Sequence, residues 1–438
     1  MPTLPKSNNL SRRRFLAGTT LGGAALLAGV HSQLLAAESQ SPNEKLRLGM
    51  IGTASQARFS IENVKHEDIV ALCDVDGRFL DKAAQEFSRA RTFGDFRKML
   101  DNAELDGVVI CTPDHIHAPA TAAALIRGKP VYCEKPLTHT VEEARLIAQL
   151  AAKHKVPTQM GTQIHAEENY RRVVELIRAG AIGPITEVHT WAGRAWGGGE
   201  RPDKADPIPK HLDWDLWLGP APERPFVEGI YHTANWRKWW DFGGGNLADM
   251  ACHHMDLPFW ALGLRYPIKV RAEGPKVHPE TCPLGLKVSY EYAAEGNRPA
   301  LKLHWYDGTS IPEKILDIPT GGGGNLFVGE KGMLRADYGS WKLYPEDKFR
   351  DFQPPAPTIP VSVGHHQEWI NAIRTGSPTT CNFDYSGALT EAVLLGNVAY
   401  RSGVELEWDA AKLTATNHPE AERFIKKQYR KGWELPRG

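Results

Sequence analysis

From Leu46 onward, short apolar runs alternate with stretches whose apolar positions recur at helical spacing. "LRLGMIG", "DIVALCDVD", "DGVVICTPD" and "KPVYCEKP" are near-continuous apolar segments of strand length, and "FLDKAAQEF" and "PATAAALIRG" between them carry helical patterns. Strands apolar on both faces and separated by helices predict a parallel sheet covered on both sides. Thr140-Val141-Glu142-Glu143 has the form of a capping box, which predicts a helix running through Lys153.

Farther along, the period becomes two. In "IKVRAE", "LKVSYEYAA" and "ALKLHWYDG" apolar and polar residues alternate: Leu286, Val288, Tyr290 and Tyr292 fall on one face, Lys287, Ser289 and Glu291 on the other. That alternation predicts an open, mainly antiparallel sheet with one wet face and helices on the other. The expected fold class is therefore α/β plus α+β: a doubly wound parallel sheet of the Rossmann type over 46–157, then an α+β domain over 158–438. Residues 193–245, rich in Trp, Gly and Pro, predict long loops over a cleft, and "HHQEWINAIRTG" predicts a helix entered at His365.

The segment before residue 46 has another character. Ser11-Arg12-Arg13-Arg14-Phe15-Leu16 precedes a stretch of apolar and small residues from Ala17 to Val30, and Ala36-Ala37 precede polar Glu38-Ser39-Gln40. This is the twin-arginine export pattern, and the apolar stretch falls short of the ~20 residues a membrane span needs. Residues 1–37 are expected to be a cleavable signal and 38–45 a linker. A periplasmic or otherwise extracytoplasmic protein follows, with no stable membrane insertion after cleavage. No cysteine stands near Ala37, which argues against a lipid anchor. Export by this route implies a protein delivered folded, with a cofactor already bound.

Composition narrows the partners. The 52 basic and 52 acidic residues balance, so nothing favours nucleic acid or an anionic membrane. The six cysteines have neither C-x-x-C spacing nor the density of a disulfide scaffold and read as packing residues.

In an open parallel sheet, ligands bind beyond the carboxyl ends of the strands. Those ends carry Gly52, Thr53, Ala54 and Gln56; Asp74; Thr112, Pro113, His115 and His117; and Glu134 and Lys135. The glycine fingerprint G-x-G-x-x-G is degenerate, reading Gly52, Ala54, Ala57, and by itself is no better than an ordinary turn. Asp74, 22 positions past Gly52, stands near the ~20 expected of the carboxylate that accepts ribose hydroxyls, and makes the loop credible as a dinucleotide site. A carboxylate there favours NAD over NADP, with Arg78 nearby as the opposing feature.

The ordered set "GMIG…CDVD…CTPDHIHAPA…GKPVYCEKPL…GGGNLADMACHHMD" resembles the glucose-fructose oxidoreductase, inositol dehydrogenase and rhizopine-catabolism (Gfo/Idh/MocA) family across roughly residues 46–410. Glu-Lys-Pro after its strand is the most specific part. The resemblance implies a dinucleotide-binding domain followed by an open-sheet domain that binds substrate and forms a homo-oligomer. It also implies that Lys135 lies near the nicotinamide and hydrogen-bonds the reacting oxygen. The departure lies in the glycine loop, which bears on the phosphate contacts.

Oxidising a secondary alcohol requires a base for the hydroxyl proton. His253 is the candidate, since imidazole titrates near working pH, although His254 adjoins it. Asp249, four residues earlier, shares its face on a helix and would orient the ring or bind substrate hydroxyls. Asp249 and His253 could instead ligate a metal with His117 or Asp256, but two ligands at helical spacing fall short of a site and no metal is expected. Gln163, at the entry to the second domain, could reach either ligand. Arg194, Trp236 and Arg237 in the aromatic loops are candidate sugar contacts or cleft wall.

The expected activity is NAD(P)-dependent oxidation of a CH–OH group of a small carbohydrate, polyol or glycoside, with the cofactor held tightly. A redox-neutral glycoside-cleaving enzyme that uses NAD transiently, and a non-catalytic nucleotide- or sugar-binding protein, are the alternatives.

Overall fold

A computed structural model describes residues 44–436; the expected signal peptide, 1–37, lies outside them. Six strands, β1 Arg47–Ile51, β2 Asp68–Cys73, β3 Arg91–Phe93, β4 Gly107–Ile110, β5 Val131–Glu134 and β6 Thr158–Gly161, form one sheet in the order β3-β2-β1-β4-β5-β6. Every pairing is parallel. Helices α1 Gln56–Val64, α2 Gly77–Glu86, α3 Phe96–Asn102, α4 Asp114–Leu125 and α5 Val141–His154 connect the strands.

The continuous apolar runs have a direct cause. In β4, Val108 and Ile110 enter one buried cluster with Ile116 and Ile147, while Val109 enters the other with Ile61 and Trp369. Alternate residues feed opposite faces and both are covered, so no polar position is permitted. The capping box of α5 forms as expected: Thr140 Oγ1 accepts from Glu143 N at 3.3 Å, and Glu143 Oε2 accepts from Thr140 N at 2.9 Å.

The chain continues through α6 Glu168–Arg178, β7 Ile185–Ala192, α7 Trp214–Leu218, α8 Gly245–His254, α9 Asp256–Leu262, β8 Lys269–Glu273, β9 Lys287–Tyr292 and β10 Leu301–Asp307. It ends with β11 Lys314–Ile315, β12 Ile318–Pro319, β13 Gly323–Gly329, β14 Gly332–Ala336, β15 Trp341–Tyr344, α10 His365–Thr375, α11 Phe383–Ser402, β16 Leu406–Asp409, β17 Thr414–Ala415 and α12 Glu422–Ile425. Nine of these strands make a second sheet, ordered β15-β14-β13-β7-β10-β9-β8-β16-β17, in which only β7 and β10 run parallel. Val288, Tyr290 and Tyr292 of β9 are buried while Lys287, Ser289 and Glu291 are partly exposed. The buried face packs on α8, α9 and α11 through Leu247, Phe259 and Val393. A doubly wound parallel sheet followed by a mainly antiparallel one is the fold class expected from the sequence.

Three arrangements go beyond that pattern. The sixth strand of the parallel sheet, β6, lies past residue 157. Helix α10, remote in sequence, places Trp369 and Ile370 in the core of the first sheet with Leu48 and Tyr132. The region 193–245, irregular apart from short helical turns, has its own aromatic core of Trp214, Trp217, Phe226, Tyr231, Trp236, Trp239 and Phe242, with Val75 from the end of β2 packed against it. Backbone bonds tie it there: Gly77 N to His211 O at 2.7 Å and Asp213 N to Val75 O at 2.9 Å.

Candidate active site

A cleft of about 950 Å³, counting its open mouth, lies at the carboxyl ends of β1, β2 and β4, where the strand order reverses. Gly52, Thr53, Ala54, Gln56, Asp74, Thr112 and Pro113 line it from the first sheet, and Trp236 and Arg237 from the aromatic region. Gly52 has φ +90°, and a Cβ there would stand 2.5 Å from Cys111 O, so this position of the degenerate fingerprint admits only glycine. Ala57, at the third fingerprint position, is fully buried in the first turn of α1. Asp74 Oδ2 accepts from Thr53 N and Thr53 Oγ1, both at 2.9 Å, and Oδ1 accepts from Asp76 N at 3.0 Å. Burial raises the Asp74 carboxyl above its ordinary range, against those bonds. Arg78 is held by Asp76, with Nε at 3.1 Å and Nη2 at 2.8 Å. The cleft wall also presents Thr112 Oγ1, buried without a partner, which suits a polar ligand lying across it.

Beyond the end of β5, Lys135 Nζ donates to both Asp249 Oδ1 and Asp249 O at 2.7 Å. Arg237 Nε donates to the same Oδ1 at 3.2 Å, and Trp196 Nε1 to Oδ2 at 2.9 Å. Burial alone would raise the Asp249 carboxyl, but the charges of Lys135 and Arg237 outweigh it and hold the group well below the usual carboxylate range. One turn later on α8, His253 is kept neutral by burial and by the Lys135 charge, far below the ordinary imidazole range. Its Nδ1 is buried without a partner. His254 is engaged elsewhere: Nε2 lies 2.9 Å from Tyr338 Oη and the ring stacks on Tyr338 at 4.7 Å. The structure thus brings Lys135, Asp249, His253 and Arg237 together, and Arg237 joins them to the dinucleotide cleft.

Several expected contacts are placed differently. His115 and His117 do not line the cleft. Both are buried, with His115 Nε2 3.0 Å from Trp217 O, and with His117 Nδ1 and Nε2 2.7 and 2.8 Å from Pro136 O and Thr112 O. Their rings brace backbone, because the first turn of α4 points them into the packed interior. Glu134 is likewise buried: Oε1 accepts from Gln163 Nε2 at 3.0 Å and Ser60 Oγ at 3.2 Å. Gln163 is thereby spent on Glu134, and Arg194 is exposed and not part of the cleft wall. Asp256, weighed with Asp249 as a metal ligand, instead receives Tyr385 Oη at 2.7 Å and faces His165 Nδ1 at 2.9 Å.

Sequence reasoning missed Trp196, which hydrogen-bonds Asp249, and His232 and Trp433, which line the cleft. Asp114, among the strand-end residues but without a role assigned from sequence, is buried beside Arg237, Lys135 and Asp249, and burial pushes its carboxyl up to about 8. The only signal for Trp196 and His232 was their place in an aromatic segment.

A parallel Rossmann sheet with a ligand cleft at its switch point, an acid after β2 and a lysine after β5 define the class of nucleotide-dependent oxidoreductases. Two family models of that class match the chain: "Oxidoreductase family, NAD-binding Rossmann fold" over residues 46–162 and "Oxidoreductase family, C-terminal alpha/beta domain" over 171–321. The chain belongs to the Gfo/Idh/MocA oxidoreductase family, and its N-terminal domain is an NAD-binding Rossmann fold. It is 30% identical over 223 residues to the rhizopine catabolism protein MocA of Rhizobium meliloti, covering 50% of this chain and 58% of that protein. It is 32% identical over 150 residues to inositol 2-dehydrogenase 1 of Saccharopolyspora erythraea, covering 33% of this chain and 44% of that protein. The chain thus spans about half the length of the curated relatives it matches. Among solved structures, the WlbA dehydrogenase of Bordetella pertussis in complex with NADH and UDP-GlcNAcA superimposes with TM-score 0.60 at 18% identity, covering 84% of this chain and 98% of that one. The aldose-aldose oxidoreductase of Caulobacter crescentus does so with TM-score 0.56 at 18% identity, covering 83% and 100%. These two likenesses concern the fold.

Proposed function

We propose that the protein oxidises a CH–OH group of a sugar, polyol or glycoside, that it is exported by the twin-arginine pattern of residues 11–37, and that it keeps its dinucleotide through repeated turnovers. The observation that carries the chemistry is the convergence of Lys135, Arg237, an ionised Asp249 and a neutral His253 beside the cleft. The inositol dehydrogenases among the relatives support a polyhydroxylated substrate.

NAD, when bound, supplies the hydride acceptor. Lys135, anchored by Asp249, presents its remaining N–H to the reacting oxygen and stabilises negative charge developing there. His253 receives the hydroxyl proton on its unprotonated ring nitrogen, and the nearby Asp249 carboxylate favours the imidazolium so formed. Trp196 and Arg237 fix the carboxylate from its other sides. Asp74 accepts hydrogen bonds from the ribose diol.

Retention of the dinucleotide rests on the cover over the cleft. Trp217, His232, Thr233 and Trp236 close it from one side and Trp433 from another. His232 Nε2, 2.9 Å from Asp76 Oδ2, latches this cover to the turn before α2. Outside the cytoplasm a released dinucleotide is not replaced, so the reduced form must be reset in place. Either a second sugar would take the hydride, or the same molecule would take it back after a ketone next to the carbon that loses its proton had let the glycosidic bond on the following carbon eliminate and water had added to the resulting double bond.

The test is to incubate protein carrying only its own dinucleotide with glycosides and with sugar pairs. Many turnovers without added NAD are expected. Turnover that stops after one equivalent and resumes only with free NAD refutes the closed cycle, while no turnover under either condition refutes the enzyme reading.

A further inference from the structure

Outside the active site, a second cavity of about 880 Å³, again counting its open mouth, lies where α5, α11, α12 and the loop entering α8 meet. Its wall is cationic. Arg401, mostly buried, has no carboxylate within ion-pair distance among the described residues, and its guanidinium lies over the rings of Trp240 and Phe424, 4.8 and 4.3 Å from their centroids. Burial, against the attraction of Asp241, lowers it to about 10. Arg423, exposed, also lines the cavity and forms no ion pair among the described residues. The other charges are accounted for: Lys426 pairs with Glu422 and Lys427 with Glu143, each at 2.7 Å, and Asp241 pairs with Arg224.

A second observation comes from another element. His139, before α5, lines the same cavity with Nδ1 buried and without a hydrogen-bond partner. Burial, with the Lys427 charge, keeps this ring neutral, and the backbone of Gly243 and Trp240 lies against it. An uncompensated guanidinium on a void whose other charges are paired calls for a ligand with anionic oxygens.

We propose that this cavity binds a small oxyanion of the hydrogen phosphate or phosphate monoester class. Arg401, flanked by aromatic faces, keeps its N–H edge for the anionic oxygens. Arg423 adds charge at the mouth. The site also abuts Gly243 and Gly244, where Asn397 Nδ2 holds Gly244 O at 2.9 Å at the start of the helix that carries Asp249 and His253. Occupancy should therefore stiffen the entry to that helix.

Calorimetric titration of the exported protein, with its dinucleotide, tests this using inorganic phosphate and glycerol phosphate in separate arms, with ionic strength held by sodium chloride. Saturable binding in either arm is expected, weakened roughly tenfold or more by Arg401→Met. Arg423→Gln, at an exposed position where folding is not at stake, should weaken it severalfold. No saturable heat up to millimolar ligand in either arm overturns the proposal. So does unchanged affinity in both Arg423→Gln and a folded Arg401→Met.

Discussion

Lys135 gives two hydrogen bonds to Asp249 while Arg237 and Trp196 secure the same carboxylate from other directions. Removing the lysine therefore leaves Asp249 still paired. Lys135→Met is expected to lower kcat by about 10²–10³ with the folded spectrum retained, the loss typical of removing one donor to a reacting oxygen. Steady-state kinetics with circular dichroism checks it, and near-normal turnover refutes the assignment. His253→Ala should cost about 10²–10⁴ in kcat, the usual worth of a general base. Asp74 governs the cofactor: the wild type should bind NAD in preference to NADP, and Asp74→Ala should narrow that preference by weakening NAD. Titration of both dinucleotides into stripped protein decides, and stronger NADP binding by the wild type contradicts it.

At the scale of elements, α8 brings the acid and the base into register and the aromatic region secures the cover. The first role was readable, because positions four apart share a helix face. The second was not, because the bond between His232 and Asp76 spans 156 positions and no local pattern encodes it. His232→Ala should remove the latch without touching Lys135, Asp249 or His253. Purified variant protein is expected to carry substoichiometric dinucleotide and to release it faster in stopped-flow exchange, with kcat at saturating NAD little changed. Unaltered release places the retention elsewhere in the cleft.

For the whole molecule, buried titratable groups set how stability varies with pH. Burial lowers His117, His254 and His365 to about 4 and His366 to about 3, so the native state resists their protonation and stability is lost as pH falls below their ordinary range. Burial raises Glu134 and Asp307 to about 7 and Asp114 to about 8. Such a carboxyl keeps its proton in the native state after the unfolded chain has lost it, so stability falls as pH rises toward those values. Above about pH 7.5 the unfolded imidazoles have lost their protons and only the carboxyls among these groups still titrate, so thermal midpoints should decline between about pH 7.5 and 8.5. Asp114→Asn should make that decline shallower. A wild-type midpoint that rises steadily from about pH 7.5 to 8.5 contradicts this account.

At the same scale, the sequence by itself determined the two sheets, the capping box of α5 and the strand ends at which ligands bind. Burial on one face or two dictates periodicity, and caps and turns are local chemistry. It also picked out Lys135, Asp249, His253 and Arg237, which stand at chemically marked positions. Tertiary structure alone decided that His115, His117 and Glu134 support the interior, since an imidazole or carboxyl after a strand has the same letters whether it faces a cleft or a packed helix. It alone decided that Trp369 of α10 packs into the core of the first sheet, that Trp196 secures Asp249, and that Arg401 and His139 line one void. These contacts join residues tens to hundreds of positions apart, and only the folded chain brings such positions within bonding distance.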